Sequence, residues 1–164
     1  MRRALLVILA ILTACSDQEV APPVDEQPSN AEAAATGSKA CELLTSEVAA
    51  RALGRPVKKL ASDGGPAGLD ICQYGYEGER LSDTGNVSVT VQPLDLASLK
   101  AGAQAQGYKL EPITGVGDAA YYSTDIGLYV GKGQRTAIYL LGAGGMTDAK
   151  ERSIALAKAS IDRL

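Results

Sequence analysis

The chain contains no His, no Phe and no Trp. Without an imidazole, Ser-His-Asp triads, Cys-His dyads and His-ligated zinc are all excluded. Aromatic surface comes from 7 Tyr alone. Cysteine is scarce as well: Cys15, Cys41 and Cys72 are the only three, and none forms the C-x-x-C spacing of a redox pair. The apolar run Ala4 to Leu12 is well short of the roughly 20 residues that span a hydrocarbon core. Basic charge is not in surplus either, with 16 Lys and Arg against 19 Asp and Glu. That balance argues against a nucleic-acid-binding protein.

What remains is an ordinary globular composition, 164 residues with 46% hydrophobic and 21% charged positions, enough for one domain. Its N-terminus reads as a signal peptide over residues 1–14, in which Arg2 and Arg3 precede the apolar run and Thr13 and Ala14 precede Cys15. Leu12-Thr13-Ala14-Cys15 resembles the bacterial lipobox, L-x-[AG]-C. The resemblance implies cleavage before Cys15 and its diacylation. Two or more acyl chains hold a protein stably on a bilayer, whereas one does so only marginally. Ser16 follows the cysteine in place of the aspartate that favours inner-membrane retention, although Asp17 comes next. The expected location is the cell envelope: the periplasmic side of the outer membrane in a double-membraned cell, otherwise the outer face of the plasma membrane.

From Cys15 to Ser38 the composition shifts to Ala, Pro, Ser and acidic residues, which reads as a disordered linker. As a flexible coil it would span roughly 25–30 Å. It carries Asp17, Glu19, Asp25, Glu26 and Glu32 and no cation, so its charge is −5. Because Arg2 and Arg3 are the only basic residues before Lys39, the domain from residue 39 to 164 keeps 14 basic and 14 acidic residues and is neutral. No polybasic run for a membrane-surface helix occurs in the sequence.

Within residues 39–164 the pattern predicts a helix over Ser46 to Leu53, capped by Thr45 or Ser46 and stopped by Gly54 and Pro56. A short strand over Val57 to Ala61 is expected next, then a loop through Asp63-Gly64-Gly65-Pro66-Ala67-Gly68 and a strand over Ile71 to Tyr76. Val87, Val89 and Val91 alternate with Ser88, Thr90 and Gln92, which predicts a half-buried strand whose apolar face meets helices. Asp95 is placed to cap a helix with Leu96, Leu99 and Ala103 on one face, ended by Gly107. Strands over Ala119 to Ser123, Ile126 to Val130 and Thr136 to Leu141 read as an antiparallel meander. A closing amphipathic helix, about Asp148 to Leu164, is expected to present Ile154, Ala157, Ile161 and Leu164 to the core. The fold class is therefore α+β, a single domain with an antiparallel sheet flanked by helices.

Cys41-Glu42-Leu43-Leu44-Thr45-Ser46-Glu47-Val48, then Leu53-Gly54, Val57 and Cys72-Gln73-Tyr74, resemble the opening of small bacterial envelope lipoproteins that carry domains of unknown function. Gly115-Val116-Gly117-Asp118-Ala119-Ala120-Tyr121 resembles the turn into the later strands of the same proteins. This resemblance covers nearly all of residues 39–164 and implies a PsbP-like α/β sandwich, but brings no active site with it.

With one cysteine consumed by lipid, the other two meet in an oxidising compartment, so a Cys41–Cys72 disulfide is expected. The stretch from Gly127 to Gly133 has one residue too few between its glycines for a phosphate loop and no Ser or Thr after Lys132, so it reads as a hairpin turn. Gly142-Ala143-Gly144-Gly145, between strand and helix, stands where a helix N-terminus could take an anion, but lacks the G-x-G-x-x-G spacing. Asp118 is read as a turn residue that accepts backbone donors or helps to bind a cation. Neither S-x-x-K nor G-x-S-x-G occurs, and the scattered carboxylates cannot be paired into an acid and a base. Tyr121, Tyr122, Tyr129 and Tyr139 fall on expected strands, where they pack the core or form a recognition surface. The expectation is a lipid-anchored, non-enzymatic accessory or binding module for another envelope protein, with no cofactor, no metal and no nucleic acid. A small-ligand or lipid carrier is the alternative, and a hydrolase without His the remote one.

Overall fold

The computed structural model describes residues 38–65, 69–80 and 83–164, and from Ala61 to Gly65 the backbone alone. Ala34–Leu164 forms one compact unit that holds every described element. The elements run α1 (Lys39–Leu43), α2 (Ser46–Leu53), β1 (Lys58–Gly65), β2 (Leu69–Tyr76), β3 (Gly85–Gln92), α3 (Leu96–Ala105), β4 (Glu111–Ile113), β5 (Ala119–Ser123), β6 (Gly127–Lys132), β7 (Arg135–Ala143) and α4 (Ala149–Ser160), closed by a 3-10 turn over Ile161–Arg163. All neighbouring strands pair antiparallel in a seven-stranded sheet of order β1-β2-β3-β7-β6-β5-β4. This is the α+β single domain that the strand and helix patterns predict. No described helix is long and apolar enough to cross a membrane.

Alternation along each strand gives the sheet two unlike faces. The inner face carries Cys72, Val87, Val89, Val91, Leu128, Val130, Ala137 and Tyr139, all buried. Against it pack Leu43 and Leu44 beside α1, Ala49 and Leu53 of α2, and Leu156, Ala157 and Ile161 at the chain's end. Two arginines close this layer by meeting carbonyls that helix ends leave unpaired. Arg163 Nη2 donates to Leu43 O at 3.2 Å, and Arg152 Nη1 donates to Ala52 O at 2.9 Å.

Local signals act where the sequence places them. Thr45 is the cap of α2, its Oγ1 accepting from Val48 N–H, and Gly54 ends the helix in the left-handed conformation at φ 74°. Asp95 caps α3 by accepting from Ser98 N–H at 2.9 Å, and that bond holds its carboxyl below the usual carboxylate range.

Several expectations are corrected. β1 does not stop at Ala61 but runs to Gly65, because its ladder with β2 continues through Asp63, Gly64 and Gly65 after a bulge between Lys59 and Ala61. Pairing outweighs the turn preference of that stretch, and β2 correspondingly begins at Leu69 rather than Ile71. The sequence reading contains neither α1 nor β4. The first is a five-residue helix held from a distance: Asp70 on β2 accepts from Ser38 Oγ at 2.6 Å and from Ala40 N–H at 3.0 Å. The last helix breaks into α4 and a 3-10 turn, and its buried face includes Ser153 and Ser160, while Ile154 is only partly covered.

Candidate functional site: the uncovered sheet face

The outer face of the sheet is covered unevenly. α3 lies on it over β5 and β6, for a specific reason: Gly131 has no side chain, and Leu96 fills the space, its Cβ 2.9 Å from where a Gly131 Cβ would stand. Lys100 Nζ donates to Tyr121 Oη at 3.1 Å and lies 4.3 Å from the ring centroid. Thr136 Oγ1 donates to Leu94 O at 2.9 Å and pins the turn that leads into the helix.

Over β2, β3 and β7 none of the described helices covers that face. The register places Ile71, Thr90, Ile138, Tyr129 and Tyr121 in one continuous row across β2, β3, β7, β6 and β5. Beside it a second row carries Gln73, Ser88 and Leu140. Ile71, Thr90, Ile138 and Tyr129 are partly exposed and Leu140 is 45% exposed. No outward position on these three strands, from Ile71 through Gly75, Asn86 through Gln92 or Thr136 through Gly142, carries an ionisable group. In a chain with 21% charged residues, that leaves a mixed apolar and amide or hydroxyl surface without formal charge.

The four tyrosines divide between the two faces. Tyr121 and Tyr129 are directly opposed across β5 and β6 on the outer face. Tyr122 and Tyr139 point the other way. Tyr139 is fully buried and shares a hydrogen bond at 3.0 Å with Ser160 Oγ, and burial pushes its hydroxyl up to about 12, against weaker opposing pulls from Ser160 and Arg163. It is a core residue and no part of a recognition surface. Tyr122 is partly buried, with Lys150 Nζ 5.9 Å from its ring. Sequence reasoning missed Tyr108, beyond α3: partial burial raises the Tyr129 hydroxyl first, and Tyr108 adds to the shift. The adjacency of Tyr121 and Tyr122 is itself the signal that could have divided the set, since successive strand residues face opposite ways.

The cysteine pair is joined. Cys41 and Cys72 are bonded at 2.12 Å with Cα atoms 5.0 Å apart, tying α1 to β2. Cys15, the expected lipidation site, lies outside the described residues. Asp118 takes the backbone role expected of it, accepting from Gly133 N–H at 2.8 Å and so holding the β6–β7 turn. Among the described residues no group of three His, Cys, Asp or Glu is placed to hold a metal ion. Gly142 and Ala143 belong to β7, and α4 starts only at Ala149 behind Asp148, whose carboxylate meets Arg152 Nε at 2.8 Å. An acidic residue at that helix start opposes an anion. Compared with protein-family models, curated proteins and solved structures, the chain matches none.

Proposed function

We propose that this is a lipid-anchored envelope protein of the PsbP-like kind, non-enzymatic, in which an acylated Cys15 holds the chain on a membrane and residues 39–164 dock a second envelope protein through the uncovered sheet face. The PsbP-like resemblance suggests that docking serves assembly or stabilisation. One observation carries the reading: an uncovered face with Ile71, Ile138, Leu140 and Tyr129 set among Thr, Ser and Gln, and no charge. The buried centres of protein interfaces are depleted in charge and enriched in aromatic side chains, so such a face loses little on desolvation.

The test is mild crosslinking in envelope preparations. Wild-type chain is expected to give a reproducible adduct, and Thr90→Glu with Leu140→Glu to reduce it roughly tenfold by placing charges in the interface centre, at an unchanged melting midpoint. An adduct that survives both charges sinks the reading. Cys15→Ser separately moves the chain from the membrane fraction to the soluble one.

A carrier function is favoured by one feature, a groove of about 300 Å³ between α2 and α4 floored by Val48, Ala52, Ala155, Leu156 and Ala159. Native mass spectrometry of undelipidated protein decides it: a bound apolar molecule supports the carrier, and a bare chain excludes it.

A further inference from the structure

Three cations fall within the five residues Arg55-Pro56-Val57-Lys58-Lys59, and the fold sets them at one corner of the sheet. Arg55, Lys58 and Lys59, where the connection from α2 enters β1, are all exposed. Lys39, Arg51, Lys132, Lys150 and Arg152 each lie within bonding distance of a carboxylate, but none of these three does among the described residues. Arg55 instead stacks its guanidinium 4.3 Å above the ring of Tyr76. Directly after Lys59, Leu60 stands 51% exposed at the β1 bulge, its Cδ1 2.7 Å from where a Gly75 Cβ would be. An open depression of about 660 Å³ lies beside it, lined by Pro56, Val57, Lys58, Leu60, Tyr76 and the single acidic residue Glu77.

We propose that this corner is a contact surface for a bilayer of anionic phospholipids. The bilayer meets this corner edge-on: register puts Lys58 and Leu60 on the Gly75 side of β1 and Lys59 on the Tyr74 side, where Arg55 lies over the half-buried Tyr76, so that the cations pair with headgroup phosphates and Leu60 enters the acyl boundary. A soluble anion would meet the cations but make no use of an exposed leucine among them, whereas a bilayer offers negative charge and apolar depth in one surface. The corner adds orientation to what an acyl chain supplies, and it does not depend on how Cys15 is modified or on which protein meets the uncovered face.

The compact unit Ala34–Leu164 contains the whole described core and the disulfide, so it is tested without an acyl chain. Co-sedimentation is measured with vesicles of phosphatidylglycerol in phosphatidylcholine and with pure phosphatidylcholine, at low and high salt. Binding to the anionic vesicles alone, weakened by salt, is expected. Arg55→Glu/Lys58→Glu/Lys59→Glu lowers it roughly tenfold or more, and Lys58→Gln/Lys59→Gln several-fold. Lys109→Glu/Arg135→Glu/Lys158→Glu changes net charge equally and leaves binding within about twofold, which separates a local surface from bulk charge. Leu60→Ser weakens binding several-fold while keeping its salt dependence. Equal loss in both triple variants overturns the proposal, as does the absence of any anionic-lipid preference. So does capture by a poly-glutamate peptide without vesicle binding, which would assign the corner to an acidic protein segment.

Discussion

Tyr139 holds a titratable hydroxyl where solvent does not reach, and the sign of its effect on stability follows directly. Its folded value of about 12 lies above the ordinary 10.0, so between those pH values the native chain keeps a proton that the unfolded chain has released. Its contribution is fully present below pH 10 and declines as pH rises through 12, by about 2–3 kcal/mol. Urea unfolding from pH 9 upward is expected to show that decline in wild type and to lose this part of it in Tyr139→Phe, which otherwise costs about 1 kcal/mol for the Ser160 bond. An equal decline in both chains would place the titration elsewhere. Residue roles were legible where they are local. Thr45 and Asp95 cap helices that begin one residue later. Asp70 was not legible as an anchor of α1, because its partners Ser38 and Ala40 lie about thirty positions away.

α3 is the most weakly held of the longer helices. It touches the sheet only through the outer face, at Leu96 over Gly131 and Lys100 against Tyr121, apart from the core under α2 and α4. Local opening follows contact density, so its amides should exchange at least about tenfold faster than those of β3 and β7. Gly131→Val places branched carbon where Leu96 stands and is expected to abolish protection in α3 while β3 stays protected. Uniform loss across the domain would mean that α3 belongs to the global folding unit. Long, strongly patterned elements could be read in advance: β3 from its alternating valines, α3 from its Leu and Ala spacing, the β5–β6–β7 meander from its turns. β4 is three residues with Pro112 in the middle, too short for any period to register. The inner face of the closing helix was read in part: Ile154, Ala157, Ile161 and Leu164 do meet the core, but Ser153 and Ser160 join them there, the latter by returning its hydroxyl to Leu156 O at 2.9 Å.

At the scale of the molecule, one covalent link joins the helical layer to the sheet. Cys41 and Cys72 close a loop with a sequence separation of 31, worth about 3.5 kcal/mol in the chain-entropy description. Cys41→Ser/Cys72→Ser should lower the unfolding free energy accordingly and raise the urea slope, because the unlinked denatured chain is more open, and an unfolding free energy within error of wild type would show that the bridge adds nothing to stability. The pairing was legible from cysteine arithmetic, given the export that the N-terminus leads one to expect. The charge-free face was not, because it depends on which strands become neighbours: Ser88 and Thr90 were visible as one side of a strand, but Ile138 and Leu140 join them only through the β3–β7 pairing.

The two edges of the sheet are unequal. β4 offers three residues interrupted by Pro112, which has no N–H to give, whereas β1 offers eight, with lysines and a bulge at its start. Extension of a sheet from molecule to molecule requires an acceptor at both ends, and here only one end is long enough. Backbone pairing between copies is thus confined to β1 against β1 about a two-fold axis, an isologous contact that consumes the free edge of each and leaves nothing for a third. The architecture shuts off fibre growth by strand addition.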